Sequence, residues 1–276
     1  MNPYKIEGPA LISFSGGRTS GYMLKQIIDA HSGTLPKDCY VVFANTGKEM
    51  PETLDFINNC AVNWNVKIRW VELDIHEEKP IYRTKEVSYE TASRNGEPFA
   101  QLNKRKKMLP NPYLRICTQE LKMNVFKRFM QNEGYKEWNN IVGLRHDEPN
   151  RVAKQKAQNE TGKNKWESYS PLYEDKKTLK DVSNFWNSNT FDLKLPSHDG
   201  KTLAGNCDLC FLKGEGKLLS LIREVPGKAK WWIKQEKFCN DQFDRFGTSY
   251  TEKKRFAESQ SELFEFGESV PCYCGD

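Results

Sequence analysis

The sequence predicts an α/β protein with a doubly wound, mostly parallel sheet, followed by a cysteine-rich, mainly helical C-terminal region. Three observations carry this expectation. Short apolar runs alternate with amphipathic segments through the first 75 residues. A Gly-rich turn, Ser15-Gly16-Gly17-Arg18-Thr19-Ser20, links the first run to the first amphipathic segment. Five of the eight cysteines lie beyond residue 200.

Leu11 to Phe14 read as the end of a buried strand. The helix after the Gly-rich turn is expected from Gly21 onward, with Met23, Leu24, Ile27 and Ile28 on its apolar face. Cys39 to Phe43 form a continuous apolar run suited to a central parallel strand. Pro51 and Glu52 mark a helix start, and the helix runs to about Asn63. Val66 to Leu73 alternate as a third strand. Residues 75–115 are polar and predict irregular structure. Their basic run Lys104-Arg105-Lys106-Lys107 reads first as a solvated loop, and a nucleic-acid contact is the sharper alternative beside Tyr82, Tyr89 and Phe99. Helices are expected from Arg115 through Val125, Phe126 and Phe129, across Asp181 to Trp186, and from Leu218 to Arg223; a strand is expected over Trp138 to Leu144. This divides the chain into an α/β core, 1–155, and a cysteine-rich region, 156–276.

A net charge of +5 over 276 residues is mildly basic and suits anionic ligands without demanding nucleic acid. No run of 18 apolar residues and no apolar N-terminal segment is present, so a cytoplasmic chain without a membrane span is expected. Eight cysteines in that setting point to metal or redox chemistry rather than disulfides.

A strand turning through glycines into a helix aims backbone N–H groups at an anion. Gly16 and Gly17 let the main chain approach a phosphate, Ser15, Thr19 and Ser20 add hydroxyls, and Arg18 adds charge. The spacing is not that of a Walker loop. Arg145 and Arg151, after the strand ending near Leu144, suit a polyphosphate, or else pair with Asp147 and Glu148. Cys207-Asp208-Leu209-Cys210 sits in a Gly-flanked turn and Cys272-Tyr273-Cys274 lies near the C-terminus. A loop placement favours metal ligation over a thioredoxin-like pair, with zinc and an iron–sulfur cluster both open.

Ser15-Gly16-Gly17 with Ser20 resembles the PP-loop of the adenine nucleotide α-hydrolase superfamily, with Thr19 where many members carry Asp. Asn45-Thr46-Gly47 followed by Pro51-Glu52-Thr53, the Arg115–Lys122 stretch, and Arg145 to Arg151 are similar to successive elements of phosphoadenosine phosphosulfate (PAPS) reductase-like proteins, with Asn45 replacing Asp. Ser170-Pro171-Leu172-Tyr173 fits more loosely. The resemblance implies ATP, or another adenine nucleotide, with Mg²⁺. Binding would fall to Ser13, Phe14, Ser15, Gly16, Gly17, Thr19, Phe43, Asn45, Thr46 and Gly143, with Arg18, Ser20, Arg145 and Arg151 acting on the phosphates. It further implies a 4Fe-4S cluster, zinc being the lesser alternative, on Cys117, Cys207, Cys210 and one of Cys272 or Cys274. The E-C-G-x-H tail of PAPS reductases proper is missing. The implied reaction is therefore ATP cleavage to AMP and pyrophosphate, activating an acceptor for sulfur from a cysteine desulfurase or other donor, as in DNA phosphorothioation with nucleic acid as acceptor. A sulfonucleotide reductase and a non-catalytic nucleotide-binding protein are the alternatives.

Overall fold

The computed structural model describes residues 2–198, 201–202, 205, 207–244 and 247–259; Cys272 and Cys274 lie outside the described residues. A six-stranded sheet in the order β4-β3-β2-β1-β5-β6 forms the centre. Its strands are β1 (Ala10–Ser13), β2 (Cys39–Ala44), β3 (Ile68–Ile75), β4 (Tyr82–Val87), β5 (Trp138–Ile141) and β6 (Trp166–Tyr169). All neighbouring pairs are parallel except β3 with β4. The chain winds outward from β1 to β4, then returns to the other side of β1 with β5 and β6. The strand order therefore reverses between β1 and β5, and the C-terminal ends of those two strands flank the crevice where such sheets bind ligands.

Apolar side chains alternate across the sheet and build a core on each face. Ile12 and Phe14 pack with helix α1 (Arg18–Ala30), α2 (Pro51–Asn63) and α8 (Leu179–Asn187) through Leu24, Ile57 and Trp186. Leu11 and Val42 face the opposite layer. That layer holds α3 (Glu97–Lys106), α4 (Ile116–Thr118), a π-helical turn (Gln119–Met123) and α5 (Asn124–Asn132). Farther along the chain, α9 (Glu215–Glu224), α10 (Ala229–Cys239) and α11 (Tyr250–Ser259) join it around Trp232, Phe243 and Tyr250. Two further helices, α6 (Pro149–Glu160) and α7 (Pro171–Glu174), flank β6, and a short hairpin pairs β7 (Ser197–His198) with β8 (Lys201–Thr202).

Several boundaries differ from the sequence expectation. Residues 75–115 are not irregular: they hold β4 and α3. The edge strand Tyr-Arg-Thr-Lys-Glu-Val is half-exposed, so its polar composition hides it from a hydrophobicity reading. The basic run is no loop either. Lys104, Arg105 and Lys106 form the last turn of α3, where cations complement the helix dipole. The strand expected to Leu144 stops at Ile141, and helix α1 starts at Arg18 rather than Gly21. The sheet itself continues past residue 155 through β6.

Candidate functional site

The Gly-rich turn leaves β1 at Phe14, whose N–H donates to Val42 O at 3.0 Å. Gly16 takes φ +78, and a Cβ there would lie 2.7 Å from Thr53 Cγ2, so both conformation and space demand glycine. Ser20 Oγ closes the turn. It donates to Gly17 O at 3.0 Å, accepts from Ser15 N at 3.3 Å and lies 2.9 Å from Ser15 Oγ. Gly17 caps α1 without a side-chain hydrogen bond, leaving first-turn N–H groups for an anion.

Two arginines meet at this turn on opposite terms. Arg145 leaves the end of β5 and donates from its guanidinium to Thr19 Oγ1 at 3.0 Å while pairing with Asp147 at 2.9 Å. Glu148 holds both Arg145 (3.5 Å) and Arg151, so the two guanidiniums flank one carboxylate. Arg18 turns elsewhere: it forms a two-pronged ion pair with Asp192, at 2.8 and 2.5 Å. Trp186 Nε1 donates to Arg18 O at 2.8 Å, and the Trp186 ring stands where a Cβ on Gly21 would fall. The helix α8 segment thus clamps the base of the loop.

Beside the loop opens a cleft of about 990 Å³, mouth included, within the size range of nucleotide-sized pockets. Of the residues expected to bind the nucleotide, Ser13, Phe14, Ser15, Phe43 and Gly143 line it, together with Ser20; Gly16, Gly17 and Thr19 do not. Its other wall was not foreseen. It comes from Lys122 and Met123 of the π-helical turn, from Thr118 and Phe126 on either side of it, and from Gln155, Trp166 and Ser168. Short π-helical segments inside helices are frequent at functional sites. Gln155 is 6% exposed; its Oε1 accepts from Ser170 Oγ at 2.6 Å, while Nε2 has no hydrogen-bond partner. An unsatisfied buried amide costs about 1–3 kcal/mol, so this donor is a natural place for a ligand acceptor. The only hint in the sequence is its helical spacing, four residues after Arg151.

Asn45 and Thr46 are absent from the cleft wall. Asn45 is buried against Glu72, and Thr46 donates to Glu49 at 2.8 Å. The loop they open is stitched to the cysteine turn. Lys48 pairs with Asp208 at 2.8 Å in a buried ion pair, Asp208 N donates to Lys48 O at 2.7 Å, and Glu49 bridges Cys207. Gly47 (φ +77) sits with its missing Cβ 3.0 Å from the Gly96 backbone, which allows this close stacking of loops.

Cys207 and Cys210 are buried in the α3–α5 layer, and Cys117 packs against the same cluster. Burial pushes the Cys207 thiol well above its ordinary range, with Glu49 and Cys210 adding to the rise. Among the described residues no three His, Cys, Asp or Glu side chains gather into a group that could hold a metal ion. Cys117, Cys207 and Cys210 therefore do not make a metal site by themselves, and Cys272 and Cys274 fall outside the described residues.

A family model for the phosphoadenosine phosphosulfate reductase domain matches residues 9–192, from the residue before β1 to the carboxylate that holds Arg18. The chain is also similar to an uncharacterized nin region protein, ORF290, of Escherichia phage lambda: 27% identical over 226 residues, covering 79% of this chain and 70% of that protein. The paired cysteines 207 and 210 lie beyond the family match.

Proposed function

The chain belongs to the phosphoadenosine phosphosulfate reductase domain family, which makes it a nucleotide-binding protein of sulfonucleotide-related chemistry, and we propose that it is an ATP pyrophosphatase that activates an acceptor for sulfur. One observation carries the reading. Arg145 is delivered to Thr19 at the open N-terminus of α1, where a departing pyrophosphate would gather its charge. An acceptor oxygen attacks the α-phosphorus of magnesium-bound ATP, the bond to the β-phosphate oxygen breaks, and pyrophosphate leaves. A persulfide sulfur then attacks the activated atom of the acceptor and AMP leaves with the acceptor oxygen; a thiol reductant cleaves the resulting S–S bond, leaving the sulfur on the acceptor and the donor as a mixed disulfide with that thiol. The first-turn N–H groups and Arg145 stabilise the leaving group, while Arg151 acts through Glu148, which it shares with Arg145. Gln155 Nε2 offers its hydrogen bond to a ring nitrogen of the base. The acceptor we propose is a nucleic-acid backbone, with DNA phosphorothioation as the outcome.

ATP labelled at the α-phosphate should yield AMP and pyrophosphate in equal amounts. Gln155→Leu should raise KM for ATP more than it lowers kcat. ADP as product, or sulfite from PAPS and thioredoxin with ATP inert, would overturn the proposal. A 4Fe-4S cluster remains our proposal for the cysteines, to be completed by Cys272 or Cys274; no step above passes through it.

A further inference from the structure

Residues 101–130 contain eight Lys or Arg and one acidic residue, Glu120, although the whole chain carries only +5. The excess gathers where α3 ends. Lys104, Arg105 and Lys107 are exposed and make no ion pair among the described residues. Lys107 holds φ 52 and ψ 35, the left-handed conformation that glycine adopts at far lower cost, so the chain keeps a cation at a strained helix end. Lys106 turns inward instead, pairing with Glu120 at 3.2 Å. That pair fastens α3 to the π-helical turn, whose Lys122 and Met123 line the cleft. The cationic helix end and the cleft wall are thus joined directly.

Next along the chain, the segment Asn111–Leu114 folds into a tight turn. Asn111 Oδ1 accepts from Tyr113 N at 3.0 Å and Leu114 N at 2.9 Å, and Asn111 N donates to Leu114 O at 3.1 Å. This turn presents Tyr113 at 81% exposure with Leu114 beside it. Arg115 donates back to Pro112 O at 3.3 Å, bracing the same turn. An aromatic ring held out by a braced turn, lying in the sequence between the cations of α3 and the cleft-lining residues Thr118 to Phe126, has the composition of a base-stacking platform.

We propose that the end of α3 and the Asn111–Arg115 turn form a docking surface for an unpaired nucleic-acid strand, with Tyr113 stacking on a base and Lys104, Arg105 and Lys107 tracking the phosphates. As the acceptor side of the cleft the surface rests on the reading above; as a binding surface it does not. An acidic protein would use the cations equally well, but it has no need of a flat exposed ring.

Fluorescence anisotropy on the full chain tests this with a labelled 20-nucleotide single strand, the matching duplex and poly-glutamate, across a salt series. The single strand should bind best. Lys104→Glu with Arg105→Glu and Lys107→Glu should weaken it at least about 30-fold and cut the salt slope by about 2. Tyr113→Ala should weaken it about 5- to 100-fold and leave poly-glutamate binding unchanged. Lys107→Gly guards against misfolding: it should keep or raise the melting temperature while still weakening the strand. Calorimetric ATP affinity, unchanged in all these variants, keeps the two readings apart. Tighter binding of the duplex, equal binding of poly-glutamate with no response to Tyr113→Ala, or no single-strand binding at about 50 mM salt each overturns the proposal, whatever the ATP assay shows.

Discussion

Asn45 replaces the Asp of the similar stretch in PAPS reductase-like proteins, and the packing supplies a reason. Its side-chain amide donates to Glu72 Oε1 at 2.6 Å and to Ser93 O at 2.9 Å, with both Asn45 and Glu72 fully buried. A carboxylate at this position would face another carboxylate and a carbonyl without a donor between them. We expect Asn45→Asp to cost about 2–5 kcal/mol at neutral pH. The loss, measured by urea unfolding, should shrink on acidification, because carboxylates held that close share a proton. A variant as stable as the parent at pH 7 would show that Glu72 does not fix the residue type. The same scale explains Arg18. Its bidentate partner, Asp192, lies 174 residues away, and the pair fastens the loop to the segment that follows α8.

Among the elements, the joint between α10 and α11 is built on one carboxylate. Glu236 Oε2 accepts from Tyr250 N at 2.8 Å and Oε1 from Phe243 N at 3.4 Å, with Lys253 and Asp244 nearby. Burial outweighs these hydrogen bonds and Lys253, raising its pKa to about 7 from 4.5. The native joint therefore binds a proton more tightly than the unfolded chain does. Its contribution is fully present below pH 4.5 and is lost as pH rises through about 7. Urea midpoints taken between pH 5 and pH 8 should decline across that window in the parent and decline less in Glu236→Gln. Parallel pH profiles for the two proteins would refute this. Helix α8, on the opposite face of the sheet, plays a different part, since Trp186 and the Asp192 that follows it brace α1.

At the scale of the whole molecule, the cysteine turn is packed onto the Asn45–Glu49 loop through Lys48–Asp208, and onto α10 and α11 through Trp232 Nε1 to Asp208 Oδ1 at 2.9 Å and Tyr250 OH to Leu209 O at 2.5 Å. Any metal completed there would tie the C-terminal region to the nucleotide side of the sheet. Anaerobically purified protein should contain about four irons per chain if the cluster forms as proposed, and Cys207→Ser should remove them and loosen α9–α11 in hydrogen exchange. One zinc, or no metal with all thiols titratable, would rule the iron cluster out.

The parallel core and the phosphate-type turn were legible in the sequence. Leu11 to Ser20 and Cys39 to Ala44 are local signals, read from apolar runs and from glycines whose backbone demands do not depend on distant partners. The edge strand β4 was not legible, because a half-exposed strand needs its neighbour β3 to reveal it. Nor was the far wall of the cleft. Which arginine reaches Thr19, which carboxylate claims Arg18 and which amide is left unpaired at Gln155 depend on contacts between residues 126, 174 and 15 positions apart. Periodicity and turn chemistry are properties of a short stretch of chain, so the sequence by itself determined the layers and the loop. Side-chain direction at the cleft is a competition among partners that only the packed sheet brings within hydrogen-bonding distance, so the tertiary structure alone decided it.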